Sequence, residues 1–390
     1  MRKLILILLA FTLLLPVLTL SSCDEKTPAT DTDTTESTTA EKETEKETEE
    51  ETEESMKKEI VTKTYKLAES LSNFKIHGRS SVVSEGLACD FSASGIEFNA
   101  YIEGTLTLNV TVSKGTADAR TDDCYFTVYI DGERQGQRLK ATKSTSTKLT
   151  LATFETGGVH NIRVVKQTEP RNALAVLTDV SFTGYFEEAP TASKYLIEFL
   201  GDSLTAGYGN LTSGGTAAVA QTSVNQDGTQ AYAYLTAEKL GADCSIIAAS
   251  GIGLVRGYRS FPMSQLFEKA SYYRNDTTLF TPARTPDLVV INLGGNDKSK
   301  GVSSSELESG MISLINRVRL AYGESIPIIL IDKENYATAI EAVVQNSGGN
   351  LYKCTLVVNK DGGNNHPSLE AHKINAELLA KFIQDNNILK

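Results

Sequence analysis

Tyr195-Leu196-Ile197-Glu198-Phe199-Leu200-Gly201-Asp202-Ser203-Leu204 runs from a short apolar segment straight into a Gly-Asp-Ser turn. An apolar run that stops at a glycine-rich loop reads as a buried strand. Open α/β sheets carry their chemistry in the crevice beyond the carboxyl ends of such strands. Ser203 is therefore placed for attack. A serine hydroxyl is a weak nucleophile until a base takes its proton and preorganised donors stabilise the oxyanion that forms, so the stretch predicts two partners elsewhere in the chain. Taken alone, Gly, Asp and Ser are ordinary turn residues.

Both partners have candidates. Residues 287–293 (DLVVINL) read as a buried parallel strand and run into Gly294-Gly295-Asn296-Asp297, where an amide donor is expected. Only His366 and His372 follow Ser203. His372 falls inside a helical pattern over residues 368–385, on a solvated or half-buried face. His366 precedes Pro367 at that helix's first turn, after a strand over residues 353–358. A proline at the first helical position fixes the helix start and with it the direction of His366. His366 is the candidate base.

Four blocks in this order, Gly201-Asp202-Ser203-Leu204, Ala249-Ser250-Gly251-Ile252-Gly253-Leu254, Gly294-Gly295-Asn296-Asp297 and His366-Pro367-Ser368, resemble the SGNH/GDSL hydrolases. The resemblance implies an ester hydrolase with Ser203 as nucleophile and His366 as general base and then general acid. It implies an oxyanion hole made by the Ser203 backbone N–H, a second-block glycine N–H and the Asn296 amide. The Gly-Ile-Gly spacing allows Gly251 or Gly253 to be that glycine, with Gly251 preferred. Residues 197–210, 250–254 and 290–297 are further similar to carbohydrate esterase family two, whose members carry a β-sandwich ahead of the catalytic domain and deacetylate plant polysaccharides such as xylan and glucomannan. Phe74-Lys75-Ile76-His77-Gly78-Arg79 and Lys166-Gln167-Thr168-Glu169 fit that plan.

Two departures stand out. Such hydrolases usually place an aspartate two or three residues before the histidine, to hold the imidazole tautomer; here those positions are Asn364 and Gly363. A backbone carbonyl or Asn364 is the first expectation for the orienting group, and Asp361 the second. The family's usual aromatic residue before the histidine is Asn365, and the chain has no tryptophan, so a platform for stacking sugar rings is missing. Tyr208, Tyr258, Phe261, Tyr272 and Tyr273 are candidates to replace it, with Tyr208 and Asn365 the nearest to the motifs.

The rest of the 390 residues sets the context. Residues 1–22 carry Arg2, Lys3 and an apolar stretch ending at Leu20-Ser21-Ser22-Cys23. This reads as a secretory leader; it resembles the bacterial lipobox, which implies lipid on the Cys23 sulfur and a membrane anchor. Pro16 and the short apolar run argue against a spanning helix. Residues 23–59 read as a disordered Thr/Glu-rich tether. Residues 24–59 hold 15 acidic and 5 basic side chains, nearly all of the net charge of −11. The acidity therefore belongs to the tether, which extends to on the order of 100 Å, and gives no support to nucleic-acid binding.

Short alternating runs, such as 96–101 and 106–112, make residues 60–188 an antiparallel sandwich, and the resemblance implies a jelly roll. Residues 195–390 alternate strands and helices. The expected architecture is two-domain: an all-β jelly-roll sandwich followed by an α/β/α SGNH (flavodoxin-like) hydrolase domain with a five-stranded, mainly parallel sheet. Cys89, Cys124, Cys244 and Cys354 lack metal-ligand spacing, and no metal or organic cofactor is expected. The functional expectation is a surface-anchored, extracytoplasmic O-acetyl esterase acting on plant polysaccharide or its oligosaccharides. The alternatives are an esterase for another glycan such as peptidoglycan, or a degenerate glycan-binding lipoprotein.

Overall fold

The computed structural model describes residues 58–113, 122–214, 223–272, 280–332, 336–357 and 359–390. The leader, Cys23, nearly all of the tether and Tyr273 lie outside the described residues.

Ten strands build the first domain: β1 (Val61–Lys66), β2 (Lys75–His77), β3 (Ser81–Val83), β4 (Gly86–Cys89), β5 (Gly95–Ser113), β6 (Cys124–Ile130), β7 (Glu133–Arg134), β8 (Leu139–Ala141), β9 (Ser146–Lys166) and β10 (Leu174–Phe186). They form one antiparallel network in the order β3-β4-β10-β5-β9-β6-β7, with β1 on β10, β2 on β5 and β8 on β6. The alternation expected from the sequence buries Phe98, Ile102, Leu108, Val110, Ile162 and Val164 in one apolar core. One expectation changes. Runs 96–101 and 106–112 belong to a single 19-residue strand, β5. Gly104 sits between the two runs at φ +71°, where β5 bulges against β10: residues 104–106 face Phe182 alone between the pairs Ser181–Thr107 and Thr183–Glu103. A bulge absorbs extra residues and bends a strand without reversing it.

The second domain holds five parallel strands, β11 (Leu196–Gly201), β12 (Asp243–Ala248), β13 (Leu288–Asn292), β14 (Ile328–Asp332) and β15 (Leu351–Thr355), in the order β12-β11-β13-β14-β15. Side-chain alternation sends successive residues to opposite faces. Ile197, Phe199, Val290 and Ile329 pack under α2 (Tyr232–Lys239) and α7 (Leu369–Asp385). Leu200, Val289, Ile291 and Leu330 pack under α3 (Met263–Phe267), α5 (Ser304–Tyr322) and α6 (Ala337–Ser347). With both faces covered, β13 is buried throughout, as parallel strands require. The strand order reverses between β11 and β13, and the crevice at such a switch point is where these sheets bind ligands. Ser203 follows the first of these strands and Asn296 the second.

Candidate active site

Strand β11 ends at Gly201, where a Cβ would lie 2.0 Å from Thr205 Oγ1, so only glycine lets the chain turn this tightly into the short helix α1 (Ser203–Ala206). Asp202 caps it, its side chain accepting the Leu204 N–H at 3.1 Å. Ser203 is thereby the first helical residue, its Oγ 2.7 Å from His366 Nε2.

The histidine comes from the loop before α7. Asn364 and Asn365 both take left-handed backbone, at φ 52° and 57°, a conformation asparagine tolerates better than most residues. The Asn364 backbone carbonyl lies 2.8 Å from His366 Nδ1. A ring that donates from Nδ1 to a carbonyl carries its lone pair at Nε2, facing the serine. Asp361 is engaged elsewhere: its carboxylate accepts the Ser368 N–H at 3.0 Å and the Ser368 hydroxyl at 2.7 Å. Ser368 is the N-cap of α7, so Pro367 precedes the cap and does not open the helix. Main-chain bonds from Gly362 N to His366 O and from Gly363 N to Gly209 O hold the loop.

The second and third blocks flank this pair. Gly251 has φ +83° and is partly exposed, whereas Gly253 is buried, with room for no Cβ against the Arg256 carbonyl. Asn296 lies in α4 (Gly295–Ser299), and its Nδ2 donates to the Ile252 carbonyl at 2.8 Å and approaches Asp202 Oδ2 at 3.4 Å. One amide group thus spans three of the four blocks. Asp297, fully buried, accepts three successive backbone N–H groups, from Leu254, Val255 and Arg256, at 2.6–2.8 Å. Sequence reasoning gave Asp297 no role of its own, although its place in the third block marked it.

The aromatic candidates separate. Tyr272 is buried and Phe261 packs on the same core. Tyr208 is 9% exposed, its ring 4.7 Å from that of His366, so it backs the histidine. Asn365 is exposed beside it. Tyr258 is 52% exposed at the rim of the second block; its N–H bonds the Gly251 carbonyl and the Lys300 ammonium lies over its ring, 3.8 Å from the centroid. Cys89, Cys124, Cys244 and Cys354 are free and buried. Among the described residues no cluster of three or more His, Cys, Asp or Glu side chains is arranged to hold a metal ion.

His372 corrects an expectation. It is 1% exposed, its ring parallel to that of Tyr232 and its Nδ1 accepting the Tyr232 N–H at 3.1 Å. The reason is tertiary: α7 turns the face bearing Ala376, Leu379 and Ile383 inward against α2, and His372 lies on it. The Tyr232 hydroxyl continues to Thr205 Oγ1 and Asn292 Nδ2, both at 3.0 Å, bracing α1 from behind.

Burial, with a smaller contribution from nearby His366 and against the pull of Asp361, pushes the His372 pKa down from 6.5 to about 3. The unfolded chain therefore takes up a proton near pH 6.5 that the folded chain refuses until about pH 3. Stability is whole above the upper value and falls between the two as pH drops, by ~1.4 kcal/mol per pH unit at most. His372→Gln, neutral throughout, is expected to unfold more easily at pH 8 yet to lose less on going to pH 4.5. Urea midpoints at the two pH values measure this, and an equal acid loss in both proteins would refute it.

A serine and a histidine in hydrogen-bond contact at the switch point of a parallel sheet, with an asparagine amide alongside, define the fold class of SGNH hydrolases. Residues 199–387 match the GDSL-like lipase/acylhydrolase family and residues 76–190 the carbohydrate esterase 2 N-terminal family; together the two matches give the chain the two-domain plan of carbohydrate esterase family two. It is 29% identical over 329 residues to the cellulase/esterase CelE of Acetivibrio thermocellus, covering 77% of this chain but only 38% of that protein. An acetylxylan esterase/glucomannan deacetylase of Cellvibrio japonicus is 27% identical over 256 residues, 58% of this chain and 69% of the relative. Among solved structures, a family two carbohydrate esterase from Clostridium thermocellum in complex with cellohexaose superposes with TM-score 0.71 at 24% identity, over 80% of this chain and 99% of that one. A family two carbohydrate esterase from Cellvibrio japonicus gives 0.72 at 18%, over 84% and 99%.

Proposed function

We propose that this chain is a carbohydrate O-acetyl esterase that removes acetyl groups from plant polysaccharide, xylan or glucomannan, through an acetyl-enzyme on Ser203. The observation that carries the reading is the 2.7 Å approach of Ser203 Oγ to His366 Nε2 while Nδ1 is held by the Asn364 carbonyl. His366 takes the hydroxyl proton as Oγ adds to the acetyl carbonyl, then returns it to the departing sugar oxygen; water repeats the cycle to release acetate. A carbonyl orients the ring as an aspartate would but supplies only a dipole to the imidazolium. The oxyanion is received by the N–H groups of Ser203 and Gly251 and by the Asn296 amide. Gly251 is favoured over Gly253 because its backbone is accessible.

The two named deacetylases among the relatives support the polysaccharide assignment. The domains run over residues 60–188 and 195–390, the leader over 1–22 exports the chain, and lipid on Cys23 anchors it through the 23–59 tether. Acetate release from acetylated xylan, acetylated glucomannan and O-acetylated peptidoglycan, measured side by side, tests the substrate. Xylan or glucomannan is expected to be fastest. Release from peptidoglycan alone would move the assignment to a wall esterase, and release from none would leave a glycan-binding protein.

A further inference from the structure

We propose that Glu169, supplied by the β domain, is a positioning residue for the oxyanion loop of the hydrolase domain, so that the first domain completes the catalytic site of the second. The inference rests on the ester-hydrolase reading above.

Past the end of β12 at Ala248, the stretch 249–252 leaves the sheet, and it carries the left-handed Gly251. The N–H of Ser250, immediately before Gly251, points across the domain junction to Glu169 Oε2 at 2.5 Å, and Glu169 is 1% exposed. A carboxylate accepting a backbone N–H in a site shielded from water makes a short, strong bond. At the other end of the stretch the Asn296 amide holds the Ile252 carbonyl. The glycine is thus fixed between a β-domain carboxylate and a hydrolase-domain amide.

Glu169 is itself anchored. It follows β9, where the buried Lys166 Nζ donates to the carbonyls of Asp90 and Thr168 at 2.7 and 2.8 Å. The Glu169 N–H donates to Gln226 Oε1 at 3.2 Å, and Gln226 Nε2 donates to the carbonyl of Ala206, the last residue of α1, at 3.2 Å. One β-domain segment therefore references both the loop bearing Gly251 and the turn bearing Ser203. The carboxylate offers a developing oxyanion no hydrogen, so its contribution is geometric: it sets where the Gly251 N–H points. Misplacement of about 1 Å at such a centre lowers rates by as much as ~100-fold.

Glu169→Ala is expected to lower kcat on an aryl acetate by about 10- to 100-fold with KM within about twofold. Affinity for an arylboronic acid that adds to Ser203 as a tetrahedral adduct should fall by a similar factor, because both depend on the oxyanion donors. Glu169→Gln keeps an acceptor oxygen in reach of Ser250 and should recover most of kcat. Glu169→Asp keeps the charge but draws the carboxylate back by one methylene, and should resemble the alanine variant; it serves as the test if alanine leaves the protein unfolded. An unchanged kcat in the alanine or aspartate variants overturns the proposal. So does a loss confined to the fraction of folded molecules, with wild-type boronate affinity in the remainder. Failure of the unaltered protein to hydrolyse any ester would instead sink the parent reading, a result separate from these.

Discussion

Ser203→Ala is expected to lower acetate release by about five orders of magnitude, ~7 kcal/mol of transition-state stabilisation, with little change in KM. The change removes one atom that no fold element uses. The α1 turn is set by the Asp202 cap and by the bonds from Ala206 N to Asp202 O and from Tyr208 N to Ser203 O, none of which involves Oγ. His366 keeps its orientation through Asn364, and Tyr208 still backs its ring. The melting temperature should therefore stay within a few degrees. What is lost is the covalent route, leaving only water attack assisted by the oxyanion donors and the histidine. The check is acetate release with enzyme concentrations matched by absorbance, together with mass spectrometry after a serine-reactive phosphonate. The wild type should gain one adduct on Ser203 and the variant none. A variant retaining more than about a hundredth of the activity would remove Ser203 from the mechanism.

The parts of this site that are legible in sequence share one property: each is local turn chemistry at the carboxyl end of a buried strand. Gly201 to Leu204 and Gly294 to Asp297 each follow a mostly apolar run, broken only by Glu198 in the first and Asn292 in the second, so strand, turn and side chain are read together. The orienting carbonyl of Asn364 is half legible. Two successive asparagines signal left-handed backbone, but whether side chain or main chain meets the ring depends on φ values that spacing does not contain. Glu169 is marked in sequence only as the end of the 166–169 run that fits the family plan; its partner is not legible, because Glu169 lies 81 residues from Ser250 and the two meet only once the domains have packed. His372 fails for a related reason. A histidine among Ala371, Asn375 and Ala376 marks the edge of an apolar stripe, and only the docking of α7 on α2 makes that edge interior. Gly104 shows the opposite limit, since a glycine between two alternating runs fits a turn and a bulge equally well; the pairing of β5 with β10 on both sides of it selects the bulge.

Asn296→Ala should produce the second largest loss, a fall in kcat of about 10²- to 10³-fold, as removal of one preorganised oxyanion donor does elsewhere. The effect should exceed that of a lost ground-state hydrogen bond, because the amide has a second hydrogen. One is taken by the Ile252 carbonyl at 2.8 Å, while the other faces Asp202 Oδ2 at a long 3.4 Å. That second hydrogen has little to give up when an oxyanion forms nearby. The first keeps the amide plane fixed, so no reorganisation is needed at the moment of reaction. Asn296→Asp separates position from charge. It preserves the side chain's shape but replaces two donors with a carboxylate acceptor beside the Ile252 carbonyl, and a developing negative charge would then meet another. Its loss should be at least as large as that of alanine at neutral pH, and the gap to wild type at the same pH should narrow as acid protonates the new carboxyl. Phosphonate labelling of Ser203 should slow in both variants in step with kcat, since the tetrahedral phosphorus oxygen needs the same donor. If Asn296→Ala hydrolyses aryl acetates within about threefold of wild type, the oxyanion is held by the backbone N–H groups alone, and the amide serves only to tie the Ile252 carbonyl to Asp202.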